Sequence, residues 1–302
     1  MNKTNHLSTG EKIFLLAVAT VSAILLRIYF LKFPGYEFDI GTFIGWGDKV
    51  RQTGIFSLYL DDNGLVDYPP LVPLLTSWWL GFLPYAKLSV VIWFKLLPTL
   101  AEIIILIASA WLVFKSKASS WFLVAVIVAP ALSFVTSAWG QVDAIMTALI
   151  MIGFLFSRKN EYAATFFLVL SFLAKPQAAV AIFTYLLWLL FNKGAKKFLV
   201  QLAFGLSIIT LVLLVFYKFG SDFAQVYINS ASRYPYLSMN AFNFWWLLHG
   251  GQASVLQDSV GAVSAKTQVL TVFVFFLAPM LYYLKSGAKT ITGFFWQQLI
   301  LI

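Results

Sequence analysis

Long apolar runs separated by short polar segments make up most of the chain. A helix that crosses the roughly 30 Å hydrocarbon core of a bilayer needs about 17 to 25 apolar residues. Five runs reach that length, at 12–32, 94–114, 119–138, 197–217 and 266–284. Three shorter runs, 142–157, 161–174 and 176–191, have polar residues at both ends, which is typical of helices that stop partway or line a cavity. The pattern predicts an all-α, multi-pass membrane helix bundle.

The first long run is followed by the largest polar segment, residues 36–70, which holds six of the twelve carboxylates. Within it, Asp39 precedes an apolar stripe at helical spacing, formed by Ile40, Phe43, Ile44, Gly47 and Val50. Such a stripe predicts an amphipathic helix on the membrane surface. The next apolar piece, 71–86, fits either a full span or an interfacial or re-entrant helix.

Charge decides between these two topologies. If 71–86 does not cross, four basic clusters share the side of the N-terminus, as the positive-inside rule requires of a cytoplasmic face. The clusters are Lys115/Lys117, Arg158/Lys159, Lys193/Lys196/Lys197 and Lys285/Lys289. We therefore expect 71–86 to be interfacial or re-entrant. Residues 36–70, 139–143, 175–177 and 233–243 then face the extracytoplasmic side together.

Composition supports a lipid environment and narrows the chemistry. Hydrophobic residues make up 61% of the 302 positions and charged residues 11%, with a mean hydropathy of +0.85. The net charge of +9 fits basic residues retained at cytoplasmic helix ends. The chain has no cysteine and two histidines, which excludes thiol chemistry and disfavours His-rich metal sites and Ser-His-Asp triads. No signal-peptide cleavage site follows the first run. We predict one membrane domain, 1–302, cut off within a last helix that starts at Ile291.

The acidic residues of the first loop are the leading candidates for chemistry. Asp39 either caps the amphipathic helix or acts as a general base at the lipid boundary. Glu37 is a second catalytic candidate, placed to position an acceptor or bind a cation. Asp67 and Tyr68 open the next apolar helix and are candidate substrate contacts, although the following Pro69-Pro70 is ordinary at a helix start.

A second candidate group follows the spans further along the chain. Asp143 is either a helix N-cap or, with Gln141, a partner for sugar hydroxyls, while Trp139 either anchors at the interface or stacks on a sugar ring. Lys175 either extends to water or binds phosphate, with Gln177 beside it.

The last candidates lie between 233 and 243. A guanidinium pairs with phosphate oxygens in bidentate fashion, so Arg233 is a second candidate phosphate ligand. Asn240 and Asn243 are candidate donors to sugar or phosphate.

The order of these motifs resembles that of a known superfamily. Glu37-x-Asp39 followed by Asp67-Tyr68-Pro69-Pro70-Leu71 resembles the GT-C superfamily of polyprenyl-phosphate-sugar-dependent glycosyltransferases. The second string is similar to that of the dolichyl-phosphate-glucose-dependent glucosyltransferases of N-glycan assembly. The paired acids resemble the Asp-x-Asp of the glycosylphosphatidylinositol mannosyltransferases. The strings 139–143 and 175–177 resemble those of prokaryotic members. The likeness covers about residues 12 to 250.

The resemblance implies a multi-pass GT-C bundle in the plasma membrane with an extracytoplasmic active site. It implies inverting transfer of a hexose, mannose or glucose, from a polyprenyl phosphate to an acceptor hydroxyl in glycan biosynthesis, with Asp39 as the base. No cofactor is expected, and the alternative is a divalent cation at Glu37 and Asp39, where the first acid departs from the family's Asp. The competing functions are a carrier or flippase for lipid-linked sugars and a structural subunit. A transporter places polar groups along a path to both faces, whereas these gather on one.

Overall fold

A computed structural model describes residues 9–60, 66–115, 129–157 and 159–225, and all regular structure in these ranges is helical. The described α-helices are α1 Thr9–Leu31, α2 Glu37–Thr53, α3 Leu71–Leu80, α4 Leu83–Ala86, α5 Val90–Lys115, α6 Pro130–Ser133, α7 Asp143–Phe156, α8 Glu161–Ala174, α9 Ala179–Lys193 and α10 Ala195–Lys218. Short 3₁₀ turns cover Phe56–Tyr59 and Pro176–Ala178, and a π-helical turn covers Phe134–Trp139. The expected all-α class is confirmed for the described residues.

Two described helices are long and apolar enough to cross a membrane. They are Val90–Trp111 within α5, with a mean hydropathy of 2.2, and α10, with a mean hydropathy of 2.6. Shorter apolar stretches occur at Ala17–Leu31, Leu71–Leu80, Asp143–Phe156 and Glu161–Ala174. These helices weakly indicate membrane association, while the multi-pass arrangement stays a prediction.

The apolar runs and the helices agree closely where both are described. The runs 94–114 and 197–217 lie inside α5 and α10, and the run 161–174 coincides with α8. The run 119–138 differs, because its described end is not one straight helix but α6 followed by the π turn. The runs at 266–284 and from Ile291 onward lie outside the described residues.

Residues 71–86 do not form one helix. The ten residues of α3 rise about 15 Å, half of the roughly 30 Å needed to span, and α4 is a separate short helix.

A tryptophan pair fixes α3 against α5. The rings of Trp79 and Trp93 stack 4.5 Å apart, and each indole N–H donates to the other residue's carbonyl, at 2.7 and 2.9 Å. The interfacial position of this piece stays a prediction.

Contacts divide the chain into two compact units, residues 1–62 with 68–175, and residues 63–67 with 176–302. In the first unit, small residues allow close helix packing. A β-carbon on Gly47 of α2 would lie 2.7 Å from Thr76 Cγ2 of α3, and one on Gly153 of α7 would lie 2.9 Å from Leu168 Cγ of α8. The single membrane domain expected from the sequence stays a prediction.

A buried ion pair joins α1, α5 and the π turn of the first unit. Arg27 donates from Nη2 to Glu102 Oε1 at 2.5 Å and from Nε to Oε2 at 3.3 Å. Thr136 donates to Oε2 at 2.6 Å and Ser133 to Oε1 at 3.4 Å. Arg27 is 5% exposed and Glu102 0%. This cluster fixes the segment that leads into residues 139–143.

Candidate functional site

Asp39 lies in the first turn of α2, where residues far along the chain hold its side chain. Its Oδ2 accepts a hydrogen bond from Trp139 Nε1 at 3.2 Å and a second from Gln141 Nε2. The N-cap of α2 is Tyr36, so the hypothesis that Asp39 caps this helix is wrong. The carboxylate is half-buried, which leaves it reachable from outside.

The turn that carries both donors depends on a glycine. The π turn ends at Trp139, and Gly140 follows with φ 88°, a left-handed conformation that glycine adopts readily. The backbone N–H of Gln141 donates a hydrogen bond to Val135 O at 3.0 Å, and the backbone N–H of Tyr36 donates one to Trp139 O at 3.4 Å. The start of α2 and this turn are therefore joined by backbone as well as side-chain hydrogen bonds.

Ile40, the residue after Asp39, packs against two glycines. A β-carbon on Gly140 would lie 2.9 Å from Ile40 Cγ1, and one on Gly35 would collide with Ile40 Cδ1 and lie 2.9 Å from Ala138 O. Gly35 also has a positive φ, of 79°. Both positions accept only glycine without movement, and this fixes how close α2 stands to the turn.

A second polar group lies where α7 begins and α8 ends. Asp143 Oδ1 forms an ion pair with Lys175 Nζ, and their side chains are 40% and 18% exposed. The N-cap of α7 is Val142, so Asp143 is not the N-cap, and Lys175 is half-buried in the pair rather than extended to water. Burial lowers the pKa of Lys175, whereas the Asp143 carboxylate and Tyr68 raise it. The raising effects together are larger, so the pKa of Lys175 lies above its ordinary value. Lys175 therefore remains an ammonium group.

Tyr68 links the two groups. Lys175 Nζ lies 5.3 Å from the centroid of its ring, within range of a cation–π interaction. The same ring contacts Phe43 at 5.3 Å and Trp46 at 5.7 Å, both on α2 one and two turns after Asp39. The Tyr68 carbonyl accepts from Tyr59 Oη at 2.9 Å. Asp39 and Lys175 are thus connected through α2 and Tyr68 on one side and through residues 139–143 on the other.

Half of the predicted site residues are brought together in the first compact unit: Asp39, Tyr68, Trp139, Gln141, Asp143 and Lys175. Glu37 is exposed in the same turn as Asp39 and takes no part in these contacts. Asp67 is half-buried and Gln177 exposed, and both belong to the second unit. Arg233, Asn240 and Asn243 lie outside the described residues. Among the described residues, no three His, Cys, Asp or Glu side chains are grouped to hold a metal ion.

Sequence reasoning missed three residues that shape the site. Phe43 and Trp46 surround Tyr68, and Lys95 lies fully buried beneath Gly140. The sequence pattern places Phe43 only in the apolar stripe of an amphipathic helix. Lys95 gave a signal, since it stands inside the apolar run 94–114.

Comparisons with known protein families, with curated proteins and with solved structures found no match to this chain. The geometry of the site provides an oriented, half-buried carboxylate and, beside it, an ammonium paired with a second carboxylate.

Proposed function

We propose that the chain is a membrane glycosyltransferase that moves a hexose from a polyprenyl-phosphate donor to an acceptor hydroxyl on the extracytoplasmic face. The observation that carries this proposal is the orientation of the Asp39 carboxylate by Trp139 and Gln141. This half-exposed carboxylate is oriented by side-chain donors from a distant segment of the chain. Such an arrangement is typical of a functional carboxylate rather than of a helix cap.

Asp39 acts as the general base in this proposal. The two N–H donors orient the carboxylate, and a carboxylate is the form that accepts a proton. The acceptor oxygen forms a bond to the anomeric carbon as the bond from that carbon to the phosphate oxygen breaks on the opposite face. The acceptor proton moves to Asp39, the configuration inverts, and polyprenyl phosphate leaves with the bonding electrons.

Lys175 is proposed to stabilise the departing phosphate, but its pairing with Asp143 adds a condition. The described group of Asp39, Asp143 and Lys175 carries two negative charges and one positive, a net −1 that repels phosphate. The ammonium therefore has to exchange Asp143 for a phosphate oxygen when donor binds. A preorganised cation at the leaving group is worth several kcal/mol.

The roles of Trp139 and Gln141 change from the sequence-based expectation. Both were expected to contact sugar, whereas each donates to Asp39. Trp139 is 38% exposed, and its ring contacts Tyr36 at 5.7 Å and Phe134 at 6.4 Å, so the proposed sugar contact uses the exposed part of the ring. Asp39 Oδ2 already accepts two donors, and we favour chemistry without a metal.

The proposal is tested by measuring transfer of radiolabelled hexose from polyprenyl-phosphate sugars in membranes. Asp39→Asn keeps the shape of the side chain and removes the base, so transfer falls about 10²- to 10⁴-fold. Asp48→Asn on the same helix is the matched control, since Asp48 is solvent-accessible and pairs only loosely with Arg51 at 3.4 Å.

Equal transfer by Asp39→Asn and Asp48→Asn would remove Asp39 as the base. Donor binding by the wild type without any transfer would favour a carrier of lipid-linked sugars instead.

A further inference from the structure

Lys95 is a charged residue that the proposed reaction does not use. It lies in the first part of α5, inside the candidate span Val90–Trp111, and its exposed fraction is 0%. Within the described residues, its ammonium donates to two carbonyl oxygens, Leu31 O at 2.7 Å and Phe33 O at 2.6 Å, and no carboxylate pairs with it. An ionisable group inside an apolar helix is expensive to bury and commonly marks a functional site.

The contacts of Lys95 connect it to the turn that holds Asp39. Its ammonium binds the end of α1 and the residues that lead to Gly35. Its aliphatic stem lies under Gly140, where a β-carbon would approach Lys95 Cγ to 3.3 Å. Gly35 and Gly140 are the two glycines that enclose Ile40, beside Asp39.

An apolar side chain of the same length would fill this space without a buried charge. A lysine can also donate to carbonyls at the C-terminal end of α1, where the helix dipole favours positive charge. Packing alone therefore does not account for a lysine at this position.

We propose that Lys95 is a positioning residue that holds the α1–α2 connection against the Trp139–Gln141 turn and so fixes the Asp39 carboxylate. The proposal rests on the proposed function for its catalytic consequence, but its geometric part stands apart from activity. Lys95 acts through the turn and touches neither donor nor acceptor.

The geometric part is tested with an engineered disulfide, because the chain has no cysteine. Tyr36→Cys and Trp139→Cys place thiols on residues joined by a backbone hydrogen bond of 3.4 Å. The oxidation rate of this pair in detergent is compared with Lys95 intact, with Lys95→Met and with Lys95→Gln. Lys87→Met, at an exposed position just before α5, is the control. We expect disulfide formation to slow about tenfold in both Lys95 variants, as loss of a supporting contact loosens a site, and to stay unchanged in the control.

The catalytic part is tested in the cysteine-free chain. Lys95→Met should lower kcat about tenfold to a hundredfold, the range expected when reacting groups are misplaced by about 1 Å, with donor KM changed less than about twofold. In a Gln141→Leu background, where Asp39 has already lost one donor, the same substitution should lower kcat less.

An unchanged disulfide rate in folded Lys95 variants would overturn the positioning role whatever the activity. Additive effects of Lys95→Met and Gln141→Leu would overturn it as well. Loss of folded protein in both Met and Gln variants would assign Lys95 to folding alone. Slowed disulfide formation in the Lys95 variants, together with a cysteine-free chain that transfers no sugar, would support the positioning role and contradict the glycosyltransferase function.

Discussion

The buried cluster around Glu102 and the half-exposed cluster around Asp39 contact the same segment, residues 130–143, in different ways. Glu102 is fully buried and receives donors from Arg27, Thr136 and Ser133, so its charge is neutralised inside the protein. Asp39 receives two neutral donors, and the carboxylate remains half-exposed. A neutralised, enclosed carboxylate stabilises the fold, whereas an oriented and accessible one is suited to chemistry.

The largest expected effect comes from breaking the buried cluster. Glu102→Leu leaves the Arg27 guanidinium enclosed without a counter-charge and should lower the free energy of unfolding by about 3–5 kcal/mol. Replacing both residues, Arg27→Met with Glu102→Leu, removes the charge altogether and should lower it much less. Denaturant unfolding in detergent micelles measures both, and equal losses in the single and double variants would refute a compensated pair.

A smaller effect is expected at the turn that serves both clusters. Gly140→Ala forces a non-glycine residue to φ 88° and brings a β-carbon to 2.9 Å from Ile40, so it should lower the free energy of unfolding by about 1–3 kcal/mol. It should also reduce transfer, because Trp139 and Gln141 move from Asp39.

Gly45→Ala is the matched control for this substitution. Gly45 lies inside α2 with nothing within 4 Å of a β-carbon, so alanine there should be neutral or stabilising by about 0.5–1 kcal/mol. Unfolding and transfer are measured in parallel on both variants. The comparison distinguishes an effect specific to position 140 from the general effect of replacing a glycine by alanine. The same result for Gly140→Ala and Gly45→Ala would show that the turn at Gly140 does not position Trp139 and Gln141 against Asp39.

The smallest effect concerns the pH dependence of the Lys175–Asp143 pair. The pKa of Lys175 is raised above its ordinary 10.5, so its contribution to stability is complete below that value and is lost only as pH rises through the higher folded pKa. Donor KM of the wild type should therefore not change with the ionisation of Lys175 between about pH 7 and 9.5. Asp143→Asn removes the carboxylate that raises the pKa and leaves burial, which lowers it.

The pKa of Lys175 should consequently be lower in Asp143→Asn than in the wild type. As the pH is raised, the donor KM of the variant should therefore begin to rise at a lower pH than that of the wild type. The measurement is donor KM across pH for both proteins, with Asp48→Asn as the exposed control. Identical alkaline profiles for wild type and Asp143→Asn would show that Lys175 does not bind the donor phosphate.

The sequence was informative where the signal is local. The helix predicted from the apolar stripe at Ile40 is confirmed as α2, but Ile40, Phe43, Gly47 and Val50 are buried within the protein and do not lie on a membrane surface. Asn160 accepts backbone N–H groups of Tyr162 and Ala163, which explains why the apolar run 161–174 coincides with α8. Helix limits of this kind follow from neighbouring residues.

Pairing between distant residues was beyond the sequence. Arg27 and Glu102 are 75 positions apart, and Asp39 and Trp139 are 100 apart, so no periodic pattern relates them. The convergence of Asp39, Tyr68, Asp143 and Lys175 was expected from topology, but the ion pair of Asp143 with Lys175 was not. A sequence pattern describes each charged residue by itself, whereas a charge that is buried in the fold has to be paired with another group.

The most direct test measures transfer and thermal stability on the same preparations of Asp39→Asn and Glu102→Gln. The account predicts that Asp39→Asn lowers hexose transfer about 10²- to 10⁴-fold with an unchanged Tm, and that Glu102→Gln lowers the Tm while the remaining folded protein transfers sugar. If Asp39→Asn lowered the Tm as Glu102→Gln does, and its transfer followed the folded fraction, Asp39 would be a structural residue and the proposed active site would be wrong.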